Sequence, residues 1–72
     1  MITKENIADF HFDEYKKIQL TSISRERLII GTKILTLEGE YICAEISRLA
    51  KDINGNIYPI AESVFKKIYQ LL

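Results

Sequence analysis

The chain has 72 residues, 47% of them hydrophobic and 28% charged, and its ten basic and ten acidic side chains cancel. This length predicts a single small domain over residues 1–72, without room for a deep active site, so we expect no enzyme, cofactor or metal centre. Because the net charge is zero, there is no general electrostatic argument for binding to nucleic acid. No apolar run approaches the ~20 residues that cross a bilayer, so we expect no membrane partner.

The N-terminal residues 1–14 fit two local structures. Thr3 could cap a short helix with Ile7 and Phe10 on one face. Phe10 and Phe12 alternate instead as they would along a strand. This stretch contains acidic residues and lacks an apolar core, so we expect no signal peptide.

The next stretch predicts strands. Residues 15–21 alternate polar and apolar positions, which predicts a half-buried strand with Ile18 and Leu20 on one face. Residues 22–26 indicate a turn. Residues 27–37 are rich in β-branched side chains and predict a second strand.

Two chain reversals are indicated further along. Leu-Glu-Gly-Glu at 37–40 is typical of a turn, and Asn-Gly at 54–55 is a stronger turn signal because both residues readily adopt a positive φ angle. Between them, the apolar residues of 41–53 follow the i, i+4, i+7, i+11 spacing of an amphipathic helix. Part of the same stretch alternates, so two strands joined at a bulge remain the alternative.

The C-terminal residues 61–71 predict a helix. Glu62 lies near its start and Lys66 and Lys67 lie near its end, which is the order that the helix dipole favours. Val64 and the residues that follow it at helical spacing give a wide apolar stripe that should pack on the preceding elements.

Short motifs in the chain resemble those of a known family. Gly-Asn-Ile-Tyr-Pro at 55–59 is followed by Val-Phe-Lys-Lys-Ile-Tyr at 64–69, and Thr-Leu-Glu-Gly stands upstream at 36–39. With Tyr-Lys-Lys-Ile at 15–18, they resemble the motifs of small phage and bacterial proteins called PGDYG proteins. The naming Pro-Gly-Asp-Tyr-Gly motif is absent, because residues 45–49 read Glu-Ile-Ser-Arg-Leu. The resemblance implies a phage context and strands in the middle of the chain; the function of that family is uncharacterised.

The most distinctive feature for binding is a basic segment. Residues 15–36 carry five basic side chains against the single acid Glu26. If the segment forms two adjacent strands, these charges could share one face, with an aromatic ring beside them for stacking on a base. The alternative is that they pair with the acidic segments on either side. The candidate binding surface consists of Tyr15, Lys16, Lys17, Arg25, Arg27 and Lys33.

Neither reactive side chain of the sequence indicates catalysis. His11 is flanked by Asp9 and Asp13, and a surface histidine beside two acids explains it without a nucleophile. Cys43 lies among apolar residues, which predicts an inert core thiol. A lone cysteine cannot form an internal disulfide, which favours a cytoplasmic protein.

These observations predict an α+β fold, with a small antiparallel sheet and a C-terminal helix; a three-helix bundle resembling a helix-turn-helix is the alternative. Thirteen isoleucines against one valine, and seven lysines against three arginines, are typical of A/T-rich genomes such as those of low-GC bacteria and their phages. We therefore expect a phage-encoded, non-enzymatic protein that binds a host protein, for example as an inhibitor of a defence system such as an anti-CRISPR. Exposed apolar residues could also support a homo-oligomer. The alternative is a small nucleic-acid-binding regulator that uses residues 15–33.

Overall fold

The structure, a computed structural model, describes residues 1–16, 20–68 and 70–71. The elements are β1 (Phe12–Lys16), β2 (Leu20–Leu28), β3 (Lys33–Thr36), β4 (Gly39–Ile42), β5 (Ser47–Lys51), β6 (Ile57–Ala61), α1 (Glu62–Ile68) and β7 (Gln70–Leu71). Five strands form one antiparallel sheet in the order β6-β5-β2-β1-β7, and β3 and β4 form a separate hairpin. The fold is therefore α+β with an antiparallel sheet and a C-terminal helix, as predicted, and the three-helix alternative is wrong.

The helix covers one face of the large sheet. Phe65 of α1 packs with Ile23, Ala50 and Ile60, which come from β2, β5 and β6. The ring of Tyr15 meets the Phe65 ring edge-on, with 4.9 Å between the centroids. α1 begins at Glu62 and carries Lys66 and Lys67 in its last turn, so the predicted helix and its charge order are confirmed over 62–68. The prediction is wrong at its two ends, because Ala61 ends β6 and Gln70–Leu71 form β7.

The opposite face of the large sheet is covered by the β3–β4 hairpin and the N-terminal segment. Ile34 and Cys43 are buried against Leu28, Leu49 and Ile57 of the large sheet. Apolar side chains of residues 2–12 pack around this cluster. Successive residues of β5 therefore face different layers, which explains why this strand is buried on both sides.

Before Phe12, the N-terminal segment forms neither the short helix nor the strand considered above. Asn6 caps a tight turn by accepting the Thr3 N–H through its side chain at 2.8 Å, while its own N–H donates to the Thr3 carbonyl at 3.1 Å. Ile2 forms an isolated parallel bridge to Ile34 on β3. The strand β1 begins only at Phe12.

Both predicted reversals are present. The pair Thr36–Gly39 closes the β3–β4 hairpin, and Gly39 has a φ of 115°, which a side chain would oppose. Between β5 and β6, one carboxylate oxygen of Asp52 accepts the N–H groups of Asn54 and Asn56, each at 2.9 Å. Gly55 completes that turn with a φ of 81°.

Of the two structures considered for 41–53, the helix is wrong and the strand alternative is confirmed, because β4 ends in this stretch and β5 lies within it. The apolar spacing that suggested the helix comes mostly from solvent-exposed side chains. Ile42, Ile46 and Ile53 are 54%, 43% and 82% exposed, and only Leu49 of the four is in the core. Burial of β5 on both faces and its pairing with two neighbouring strands decide the conformation instead.

Three predictions about the first strands are also wrong. Residues 27–37 do not form one strand, because β2 ends at Leu28 and β3 begins at Lys33. Residues 15–21 do not form one strand, because β1 ends at Lys16 and pairs antiparallel with β2, which begins at Leu20. The expected face of Ile18 lies outside the described residues. The turn expected at 22–26 lies inside β2, where the register against β5 shifts between Ile23 and Arg27. The polar residues that indicated a turn build a bulge.

Candidate binding surfaces

Ser24 organises the bulge of β2 through its hydroxyl. The hydroxyl accepts the N–H of Leu49 on β5 at 2.9 Å and donates to the carbonyl of Glu26 at 2.8 Å. It therefore takes the place of a backbone partner where the ladder between β2 and β5 is interrupted. The bulge also holds Arg25 and Arg27 on the same face as Ile23, the face that carries α1.

Arg25 is held in a bidentate ion pair. Its Nε donates to one carboxylate oxygen of Asp13 at 2.8 Å and its Nη2 donates to the other at 2.9 Å. The hydrogen bond from Arg25 lowers the pKa of Asp13 below its ordinary value of 3.8. Asp13 belongs to the acidic N-terminal segment, so this pair is the local neutralisation that the sequence offered as an alternative to a binding face.

Arg27 is held in a second network at the start of α1. Its Nε donates to Glu62 at 2.8 Å, and the same carboxylate oxygen lies 2.7 Å from Nη2 of Arg48. Arg48 also donates to the carbonyl of Ser24 at 3.1 Å, and its guanidinium carbon lies 5.1 Å from the centre of the Phe65 ring. The hydrogen bond from Arg27, followed by that from Arg48, lowers the pKa of Glu62.

The remaining members of the predicted basic surface are distributed over the fold. Tyr15 packs edge-on against Phe65. Lys16 is exposed and, as the next residue of β1, points to the other face of the sheet. Lys33 is exposed on the separate β3–β4 hairpin, and Lys17 lies outside the described residues. The described members thus occupy three different parts of the molecule.

His11 and Cys43 are placed differently from one another. A carboxylate oxygen of Glu26 accepts the backbone N–H of His11 at 2.8 Å, and the other oxygen lies 2.6 Å from Nδ1 of the ring. These bonds lower the pKa of Glu26, the backbone bond most. Cys43 is 1% exposed, and burial raises the pKa of its thiol. His11 therefore links the start of β1 to the bulge of β2 through Glu26. Burial keeps Cys43 in its unreactive thiol form.

Sequence reasoning missed an apolar surface on the hairpin. Of the ten large hydrophobic side chains that are exposed among the described residues, six lie within residues 29–42. Cross-strand register puts Leu35 and Ile42 on the outer face of the hairpin, opposite the buried Ile34. The one visible signal was Leu37, an apolar residue at the tip of a turn, which is 77% exposed. Tyr41 is the partner of Ile34 and therefore lies on the other face, at the β4 edge. The six exposed residues, which we call the hairpin surface, are Ile29, Ile30, Leu35, Leu37, Tyr41 and Ile42.

A groove adjoins the hairpin surface. It has a volume of about 360 Å³ and lies between the hairpin tip, the N-terminal turn and the turn before β6. Leu35 and Leu37 line it on one side, Lys4 and Glu5 on another, and Asn56 near the β5–β6 turn. The groove continues the hairpin surface and has polar side chains along its other sides. An apolar centre with a polar rim is common at protein interfaces.

Comparison with known proteins gives no relative: no family model matches the chain, and neither the curated proteins nor the solved structures contain a match. The similarity to PGDYG proteins therefore stays a prediction. Within the described residues, no helix has the length and apolar character needed to span a membrane. No group of three or more His, Cys, Asp or Glu side chains in that part of the chain is placed to hold a metal ion.

Proposed function

We propose that this chain is a non-enzymatic binding protein, encoded by a phage, that acts stoichiometrically on a protein in the cytoplasm of a bacterial host. The composition and the PGDYG-like motifs support the phage context, and inhibition of a host defence system fits a small stoichiometric binder. The observation that carries the binding role is the hairpin surface. Within it, Leu35 and Ile42 are diagonal neighbours on the outer face and Leu37 is exposed at the tip, and exposed apolar side chains gathered in this way mark protein interfaces.

The charge distribution supports a protein partner over a nucleic acid. Arg25 and Arg27 are each engaged by a carboxylate, so a phosphate that binds them would have to compete with a negative charge already in place. Among the described residues of β3 and β4, the outer face carries one positive and one negative side chain, Lys33 and Glu40, and these two charges cancel. An apolar centre with few compensated charges suits a protein interface, whose core is depleted in charged residues.

A capture experiment with matched variants tests the proposal. The chain is immobilised and exposed to a lysate of a low-GC bacterium, in parallel with a variant carrying Leu35→Ser and Ile42→Ser and with the control Ile53→Ser. Ile53 is 82% exposed outside the hairpin surface, so its replacement matches the loss of apolar character without touching the proposed interface. We expect a host protein that the original chain and the control retain and the double variant loses.

Binding is then measured with the purified host protein by titration calorimetry. We expect one binding unit per chain and a loss of at least about tenfold in affinity for the double variant, since truncating central apolar anchors costs 1 kcal/mol or more. Equal binding by the double variant would refute the role of the hairpin surface. Turnover of the host protein that His11→Ala or Cys43→Ser abolishes would refute a non-enzymatic mechanism.

A further inference from the structure

The strand β4 has an open edge. Among the described elements it neighbours only β3, and three of its four residues, Glu40, Tyr41 and Ile42, are exposed. The other edge of β3 is already used, because Ile2 donates its N–H to Lys33 and accepts the N–H of Leu35, each at 2.8 Å. The small sheet therefore has one edge left for growth, and it is that of β4.

The register shows which backbone groups face outward. Lys33 and Leu35 direct their backbone groups to Ile2, so Ile34 and Thr36 must direct theirs to β4. Their partners Tyr41 and Gly39 face β3 in return. The N–H and C=O groups of Glu40 and Ile42 consequently point away from the hairpin.

The edge of the large sheet at β6 is protected in a way that β4 is not. Leu49 directs its N–H to Ser24 on β2, so its partner Pro59 on β6 faces the open side. Proline has no N–H, and at this position it removes a donor that another strand could use. At the far edge, β7 has only two residues. Neither device is present on β4.

We propose that β4 pairs antiparallel with β4 of a second copy of this chain, in the register that places Tyr41 opposite Tyr41. Glu40 of each copy then faces Ile42 of the other, and each such pair exchanges two hydrogen bonds. The four bonds use all eight outward backbone groups of Glu40 and Ile42 in the two strands. The two hairpins become one four-stranded sheet around a two-fold axis.

The side chains favour this register over its neighbours. A register centred on Glu40 sets two carboxylates directly opposite one another, which is unfavourable. One centred on Ile42 pairs Glu40 with residue 44, beyond the end of the strand. In the Tyr41-centred register, Glu40 lies beside Ile42 of the second copy. Lys33 of the second copy is the next side chain in the same cross-strand row, because it is the partner of Ile42 within that hairpin. The two Tyr41 side chains face each other across a non-hydrogen-bonded pair, where aromatic side chains interact well.

The pairing and the proposed host interaction use different sides of the hairpin, and Tyr41 is the member of the hairpin surface that takes part in the pairing. The pairing uses the edge of the hairpin and leaves the outer face, with Leu35 and Ile42, open to solvent in both copies. Dimerisation would double that apolar face on one continuous sheet. If the chain does not dimerise, the capture experiment still tests the host interaction. If no host protein is captured, the mass measured in solution still tests the dimer.

Sedimentation equilibrium over about a hundredfold range of concentration tests the dimer, with the chain mass of 8.4 kDa as reference. Since one short strand per copy gives a small interface, we expect a concentration-dependent rise to twice this mass. Ile42→Pro removes an outward N–H, as Pro59 does on β6, and should weaken the dimer at least about tenfold. Ile42→Ala, which keeps the N–H, is the matched control and should associate more tightly than Ile42→Pro. A chain that stays monomeric throughout, or equal association of the two variants, would overturn the proposal.

Two measurements fix the register without depending on the proline variant. In a Cys43→Ser background, Tyr41→Cys should form an intermolecular disulfide on mild oxidation, since its Cα would lie about 4.5 Å from that of the second copy. Glu40→Cys in the same background should crosslink far less, because it faces Ile42. In the unaltered chain, the amide hydrogens of Glu40 and Ile42 should exchange more slowly as concentration rises. Preferential crosslinking at position 40, or amide exchange that does not change with concentration, would refute the register.

Discussion

The two faces of the β3–β4 hairpin should respond very differently to truncation. Ile34 has no exposed surface and packs against Leu28, Leu49 and Ile57, whereas its neighbour Leu35 is 47% exposed. Changing either residue to alanine removes three carbon atoms. The pair Ile34→Ala and Leu35→Ala therefore isolates burial as the variable, on adjacent residues of one strand.

The expected magnitudes follow from the area that each side chain hides. Three buried carbons are worth roughly 2.4 kcal/mol at ~0.8 kcal/mol each, and the cavity that remains raises the loss for Ile34→Ala to about 2.5–4 kcal/mol. Leu35 buries about half of its surface and leaves no closed cavity, so Leu35→Ala should lose about 1 kcal/mol or less. A domain of this length has a free energy of unfolding of only roughly 4–10 kcal/mol, so Ile34→Ala should remove a large part of it.

Urea denaturation followed by far-UV circular dichroism measures both losses. We expect a clear fall in the midpoint for Ile34→Ala and a small shift for Leu35→Ala, with similar slopes. Equal losses, or a larger loss for Leu35→Ala, would mean that the hairpin packs with its other face on the sheet. The hairpin surface and the β4 register would then both be refuted.

Further predictions concern the bulge, the ion pairs and the basic segment. Ser24→Ala should lower the free energy of unfolding by about 1–3 kcal/mol in urea denaturation, because it leaves the buried N–H of Leu49 without its acceptor. Glu62 has a lowered pKa in the folded chain, chiefly through its hydrogen bond from Arg27, so its stabilising contribution is full above the ordinary value of 4.5 and is lost as the pH falls through the lowered value. The urea midpoint should therefore decline on acidification below about pH 4.5 more steeply in the original chain than in Glu62→Gln, and parallel declines would contradict this. Fluorescence anisotropy with duplex and single-stranded DNA should show no binding tighter than ~10 μM at physiological salt; sub-micromolar binding that Arg25→Ala with Arg27→Ala abolishes would establish the regulator instead.

The parts of the fold that the sequence predicts are those that local chemistry decides. Gly39 and Gly55 adopt positive φ angles in the two turns that their neighbours indicate. The C-terminal helix follows from its own apolar stripe and from charges ordered along its dipole, with Glu62 in the first turn. In each case the residues that determine the structure are adjacent in the chain.

The middle of the chain is decided by contacts distant in sequence. The isoleucines at helical spacing over 41–53 are mostly exposed, so their pattern reports a surface and not a buried helix face. Pairing with a strand on each side and packing against a layer on each face determine the conformation of β5. One of these contacts is the hydrogen bond from the N–H of Leu49 to the hydroxyl of Ser24, 25 residues away in sequence. The sequence alone does not distinguish the bulge of β2 from a turn, because polar residues such as Ser24 are common in both structures.

The expected basic face is not assembled in the fold for a related reason. A basic segment suggests a charged face only if its charges remain free, and the fold brings Asp13 to Arg25 and Glu62 to Arg27. The apolar hairpin surface gives no sequence signal beyond Leu37, because Ile and Leu on an outer strand face look like those of a core strand. Only the register of β3 against β4 shows that Ile34 faces inward and Leu35 outward.

The ion pairs also bear on how the chain would recognise a partner. Each pair joins separate elements: Asp13–Arg25 links β1 to the bulge, and Glu62 with its two arginines links α1 to β2 and β5. Charges used in this way help to hold the helix on the sheet, and a partner that took them over would have to compete with bonds already made. The hairpin surface has no such competing role, because its side chains face solvent on the layer farthest from these pairs. Recognition through the hairpin therefore leaves the rest of the fold undisturbed, and its affinity should depend only weakly on salt.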